Sequence, residues 1–127
     1  MATVLIVEDE QTIREMLEIF LNQDHELLQA SDAPQAIELA RRMRPDLVLL
    51  DLNLRGHHDG LNVCRALRRE PDPALARLPI VILSGHTTQA DIAAALKAGA
   101  DAYLAKPFSP HSLWAVIDTH LAEERLT

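Results

Sequence analysis

Apolar residues fall in short unbroken runs separated by segments of helical period. The runs are Val4–Val7, Leu47–Leu50, Ile80–Leu83 and the weaker Ala102–Leu104, with a fainter one at Leu27–Leu28. A continuous run, unlike an alternating one, predicts a strand buried on both faces, as in a parallel sheet. Between the runs, apolar positions recur every three or four residues. Ile13, Met16, Leu17 and Phe20 share a face of the first helical segment, and Ala36, Ile37, Ala40 and Met43 a face of the second. Leu61, Cys64 and Leu67 stripe the third, Ile92, Ala95 and Leu96 the fourth, and Leu113, Trp114, Ile117 and Leu121 the fifth. Ser31 or Asp32 is placed to cap the second, with Pro34 in its first turn. Gly99 is placed to end the fourth, and Ser109 and Pro110 open the fifth. The proline-rich stretch Arg69–Pro79 reads as a loop. The order is strand then helix, five times over, which predicts an α/β chain with a doubly wound parallel sheet and right-handed crossovers.

Composition narrows the class. The 127 residues suit one domain, 1–127, with no second domain expected. With 48% hydrophobic but only 3% aromatic residues, the core must be aliphatic. A formal net charge of -7 opposes independent binding to nucleic acid or to an anionic membrane, since both require a positive surface. The single cysteine, Cys64, leaves no internal disulfide and fits a reducing compartment. Its place on an inward stripe reads as a small core residue. No apolar run is long enough for a bilayer, and MATVLIVEDE meets acids by Glu8 without a basic leader, so a cytoplasmic protein is expected.

Candidate chemistry lies where the strands end. In an open α/β sheet, ligands bind outside the carboxyl ends of the strands. After the first run come Glu8, Asp9 and Glu10; after the third, Asp51; after the fourth, Ser84 and Gly85; after the last, Lys106 and Pro107. One acid at a strand end is most often a helix cap or a solvated turn, and Glu10 fits that description. Together, the acids, the hydroxyl and the amine converge on one edge. Neighbouring carboxylates repel, and a divalent cation resolves the conflict. Hard carboxylate oxygens suit Mg²⁺, which often shares its shell with a phosphate. No His and Cys set stands at zinc spacing. A lysine and a hydroxyl nearby describe a carboxylate that accepts a phosphoryl group.

The stretches "VLIVEDE", "PDLVLLDLNL", "LPIVILSG" and "GADAYLAKPF", in this order and across essentially the whole chain, resemble the receiver domain of two-component response regulators. That resemblance implies a flavodoxin-like fold with strand order 2-1-3-4-5. It implies Asp51 as phosphoacceptor, with Glu8 and Asp9 holding Mg²⁺ (or Mn²⁺) directly or through water and the Asn53 backbone carbonyl completing the shell. It implies Ser84 as the switch hydroxyl, Lys106 as the phosphoryl-binding amine, and Tyr103 as an aromatic switch, although an ordinary half-buried strand tyrosine fits the same position. Gly85 matches a position kept small for phosphate access, His86 lines the entrance to the acceptor, and Pro107 matches a proline usually reached through a cis bond. The implied partners are a histidine kinase or phosphotransfer protein as donor and an unidentified downstream protein. A homodimer through the fourth helix, fifth strand and fifth helix is possible by the same resemblance. The implied activity is a switch that catalyses only its own phosphotransfer and slow dephosphorylation.

Two positions depart from the family pattern. Arg55 stands where a proline is common, and Gly60 comes nine residues after Asp51 instead of eight. The loop carries one extra residue. Three other readings compete with this one. An aspartyl-phosphate phosphatase needs an acid two residues past its nucleophile, where Asn53 offers an amide. A flavin or nucleotide binder would want a glycine-rich loop where "VEDEQT" is acidic. A constitutive scaffold would not need the intact acid set. His57 and His58 read as a solvated pair beside Asp59, because metal ligation needs more partners at defined spacing. His86 is equally compatible with tuning of water access and with an exposed loop histidine.

Overall fold

The computed structural model describes residues 2–52, 54, 59–85 and 88–126, with side chains for all of these except 59 and 122–126. The elements are β1 (Ala2–Val7), α1 (Gln11–Leu21), β2 (His25–Ala30), α2 (Ala33–Met43), β3 (Leu47–Asp51), α3 (Asp59–Arg68), a one-turn α4 (Pro73–Ala76), β4 (Ile80–Ser84), α5 (Gln89–Lys97), β5 (Ala102–Ala105) and α6 (Pro110–Leu126). The five strands are all parallel in the order β2-β1-β3-β4-β5. This is the doubly wound parallel sheet that the alternation predicts, in the flavodoxin-like strand order that the resemblance implies.

The unbroken apolar runs have a direct cause. Successive side chains of a strand point to opposite faces, and here both faces are covered. Leu5, Val7, Val48, Leu50, Ile80 and Ile82 pack on one side with Ala36 and Ala40 of α2, Val63, Cys64 and Leu67 of α3, and Ala95 of α5. Val4, Ile6, Leu47, Leu49, Val81 and Leu83 pack on the other with Leu17 and Leu21 of α1 and Leu113, Ile117 and Leu121 of α6. Each such leucine, isoleucine or valine contributes about 1.5–3 kcal/mol by leaving water.

Helix ends follow the local chemistry. Asp32, not Ser31, caps α2 by accepting from the Gln35 N–H, and Thr88 caps α5 by accepting from Asp91. Helix α5 stops at Gly99, whose φ of 113° is open to glycine, with Gly99 N–H donating to Leu96 O and Ala100 N–H to Ala95 O. A Cβ on Gly99 would also come 2.6 Å from Arg68 Cγ.

Three of the expected inward positions differ. Met43, Leu96 and Trp114 are 49%, 48% and 37% exposed. Met43 is the last residue of α2, and α5 seats itself through the small Ala95 and Ala98 instead of Leu96. Trp114 sits at the rim between α1 and α6, where its Nε1–H donates to Phe20 O at 2.8 Å and its ring meets His111 edge-on. An indole that must keep its N–H bonded settles at an edge. The stretch expected as a loop holds α4, capped by Asp72 accepting from Ala74 N–H. Among the described residues, no helix is long and apolar enough to cross a membrane.

Candidate functional site

Parallel register brings the strand ends together. Asp51 is the last residue of β3 and lies beside Leu83; Ser84 ends β4 and lies beside Ala105. Lys106 follows β5, and its backbone N–H donates to Ser84 O at 2.8 Å. Glu8 follows β1 and is fixed by donating its N–H to Ala30 O of β2 at 3.0 Å. Four strand ends thus deliver two carboxylates, a hydroxyl and an amine to one edge.

The site is buried to an unusual degree for its charge. Glu8 is 1% exposed, Asp51 6% and Ser84 1%, the buried polar side chains among the described residues. Carboxylates are seldom so buried without partners. Lys106 Nζ stands 3.3 Å from Asp51 Oδ1 and 3.5 Å from Glu8 Oε2, reaching in from a half-exposed position. Lys106 therefore serves both buried acids. Burial first, and then the Asp51 charge, push the Glu8 carboxyl up to about 7, against the opposing pull of Lys106.

Asp9 completes the acid set. One oxygen from each of Glu8, Asp9 and Asp51 lies within 4.8 Å of the others, the metal-capable group found among the described residues. Oxygens on one octahedral Mg²⁺ at about 2.1 Å stand roughly 3–4 Å apart, so small side-chain adjustments close these three around such an ion. The donor set fits: all ligands are hard oxygens, and their excess negative charge is what a divalent cation neutralises.

The remaining sequence candidates divide. Tyr103 is half-buried on β5, beside Ile82 and against the α2–α3–α5 side of the core. Gly85 is exposed, and a Cβ there would meet nothing within 4 Å, so the space over the end of β4 is open. The Lys106–Pro107 peptide is cis. Asn53, Arg55, His57, His58 and His86 lie outside the described residues. Cys64 is buried and its thiol is pushed up by that burial, as a core residue should be.

Two residues at this edge carry no obvious sequence signal of their role. Arg14, in the first turns of α1, donates Nη1–H to Glu8 O at 2.8 Å and pins the β1–α1 turn. Gly60, in the first turn of α3, donates its N–H to Leu52 O at 3.3 Å. A Cβ on Gly60 would lie 2.4 Å from Asp51 O and 2.9 Å from Leu52 Cα, both backbone atoms. Helix α3 therefore abuts the peptide that follows Asp51 directly. The contact supplies the reason for a glycine at this position.

The family model for the response regulator receiver domain matches residues 4–118. The chain belongs to this family. Receivers are phosphoacceptor switches, and this one is 40% identical over 119 residues to the DNA-binding response regulator MtrA of Mycobacterium tuberculosis, covering 93% of this chain and 50% of that protein. It is 38% identical over 108 residues to the transcriptional regulatory protein AfsQ1 of Streptomyces coelicolor, covering 84% and 45%. The chain spans about half the length of the curated relatives it matches. Among solved structures, the receiver domain of a sensor histidine kinase from Pseudomonas aeruginosa superposes with a TM-score of 0.86 at 30% identity, over 95% of this chain and 98% of that one. That structure has a magnesium ion coordinated in its active-site cleft. Chemotaxis protein CheY4 of Vibrio cholerae superposes with a TM-score of 0.86 at 28% identity, over 94% and 98%.

Proposed function

We propose that this receiver takes a phosphoryl group from a phosphohistidine of a partner kinase or phosphotransfer protein onto Asp51, and that the change alters partner binding. The observation that carries the reading is the acid set of Glu8, Asp9 and Asp51 with Lys106 Nζ 3.3 Å from the Asp51 carboxylate, on the carboxyl edge of a receiver sheet. An Asp51 carboxylate oxygen attacks phosphorus. A P–O bond forms, the P–N bond of the phosphohistidine breaks, and its electron pair returns to the ring nitrogen, which keeps or takes up a proton. Glu8, Asp9, Asp51 and the Asn53 backbone carbonyl are the residues that would hold Mg²⁺, the ion also found in the Pseudomonas relative's cleft. When bound, it supplies positive charge to phosphoryl oxygens.

The side chains of this chain do the rest. Lys106 turns from Asp51 and Glu8 toward a phosphoryl oxygen, exchanging two carboxylate partners for one phosphate. The Ser84 hydroxyl donates to another phosphoryl oxygen, and Tyr103 follows into the space it leaves. Gly85 keeps the approach open and His86 borders it, while Pro107 aims the lysine. Asn53 offers no general acid, so the acyl phosphate persists as a signal instead of turning over.

Incubation with Mg²⁺ and a small acyl phosphate should add one phosphoryl group, seen by intact-mass spectrometry. Asp51→Asn should abolish the label. Equal labelling of Asp51→Asn would sink the assignment, and sustained phosphate release from many substrates would favour a phosphatase.

A further inference from the structure

At the opposite end of α3 lies a groove of 430 Å³ shared with α5 and lined by Arg65, Arg68, Arg69, Ala94, Lys97 and Ala98. Four cations around one groove stand out in a chain of net charge -7. Cations in the last turn of a helix are ordinarily explained by the carbonyls that end there. Arg68 is instead engaged by carbonyls of other segments. Arg68 donates to Gly99 O at 2.9 Å, to Ala76 O at 3.1 Å and to Leu78 O at 2.7 Å, and it pairs with Asp101 at 2.8 Å.

Arg65, Arg69 and Lys97 stand outside those bonds. All three are exposed, and among the described residues none has a carboxylate partner; Arg65 reaches only the Asn62 amide oxygen at 3.3 Å. Arg65 and Arg69 stand four apart across the end of α3, the Arg69 N–H donating to Arg65 O at 3.2 Å, a spacing at which like charges repel. Two surface arginines elsewhere are paired, Arg41 with Glu70 and Arg44 with Asp72, each at 2.8 Å. These three cations flank a concavity of small-ligand size that Ala94 and Ala98 also line.

We propose that this groove binds a small polyphosphate, with the Arg65 and Arg69 guanidiniums gripping adjacent phosphoryl groups and Lys97 closing from α5. Planar guanidinium forks match phosphate oxygens two at a time, and an ammonium supplies a point charge. The site is remote from the acid edge and independent of phosphorylation there.

The test is calorimetry of the full chain with inorganic tripolyphosphate in chelator, so that no divalent cation draws phosphate to the acid edge. One saturable site is expected, weakening as salt rises. Arg65→Ala and Arg69→Ala should each weaken it about tenfold, while Arg42→Ala on α2 should leave it unchanged. Amide shifts of Ala94 and Ala98 in the unsubstituted protein should move on titration, which needs no variant. The proposal is overturned by absence of saturable binding, by equal weakening in Arg42→Ala, or by a glutamate-rich peptide binding these residues more tightly than tripolyphosphate.

Discussion

The two edges of the sheet treat charge in opposite ways. At the edge where the strands begin, Arg68 sits among three carbonyls and the Asp101 carboxylate, and Asp101 Oδ2 also accepts from Ile80 N–H at 2.8 Å. Arg68 and Asp101 are fully matched there, and they tie α3, the α4 turn, β4 and the start of β5 together. At the edge where the strands end, Glu8 and Asp51 share Lys106 with Asp9 close by, and burial and then the Asp51 charge push the Glu8 carboxyl up to about 7. A matched cluster stabilises; a crowded one waits for something to neutralise it. The same residue types, arginine or lysine with aspartate or glutamate, are thus separated by local balance into scaffold and site.

The largest effect that would sharpen this contrast is at the matched edge. Arg68→Ala should lower stability by about 3–4 kcal/mol, because it strands partly buried carbonyls and leaves Asp101 without its cation. Chemical denaturation checks it. A loss below about 1 kcal/mol would make the corner an ordinary surface pair.

Next comes the acid edge, read by pH in metal-free protein. The folded pKa of Glu8 is raised above its unfolded value, so the fold binds that proton more tightly. Its favourable contribution is whole below about 4.5 and is lost as pH rises through about 7. Metal-free stability should therefore fall across that window, by on the order of 3 kcal/mol. Glu8→Gln should flatten the fall, and added Mg²⁺ should restore stability above pH 7 by binding the folded acid set. A pH-independent melting curve in chelator across this window would remove the picture of a strained edge.

How much of this was legible in the chain depends on what each position answers to. The strands at the sheet centre were legible because both their faces are buried, which writes Val4–Val7, Leu47–Leu50 and Ile80–Leu83 as unbroken apolar runs. The convergence of Glu8, Asp9, Asp51, Ser84 and Lys106 followed from strand ends alone, since parallel order puts all of them on one edge. Rim positions were not legible. Helical period assigns Met43, Leu96 and Trp114 to an inward face but cannot tell where the neighbouring layer stops. Helix α4 was hidden because four residues are too few for a period. Arg68 gave no signal either, since three of its partners are backbone carbonyls, which carry no side-chain pattern.

The glycines of the acid edge supply the finer comparison. At Gly60 a methyl group would press on the backbone of Asp51 and Leu52, which cannot swing away as a side chain could. Gly60→Ala should cost about 1–3 kcal/mol, the range for overpacking, and should slow acyl-phosphate labelling of Asp51 by displacing its peptide. Stability loss without any change in labelling rate, measured well below the melting temperature, would confine Gly60 to packing.

Gly85 is the opposite case and the smallest effect. Nothing lies within 4 Å of a Cβ there, and its φ is not in the left-handed region. Gly85→Ala should then leave stability within about 0.5 kcal/mol, as at an unencumbered surface position. If the open space over β4 serves phosphoryl access, bulk added at Gly85 should lower the labelling rate while the melting curve stays in place, and Gly85→Val should lower it further than Gly85→Ala. Access and packing are separable at these two positions because one glycine faces backbone and the other faces solvent. A labelling rate indifferent to size at Gly85 would leave the approach to Asp51 to be set by other residues.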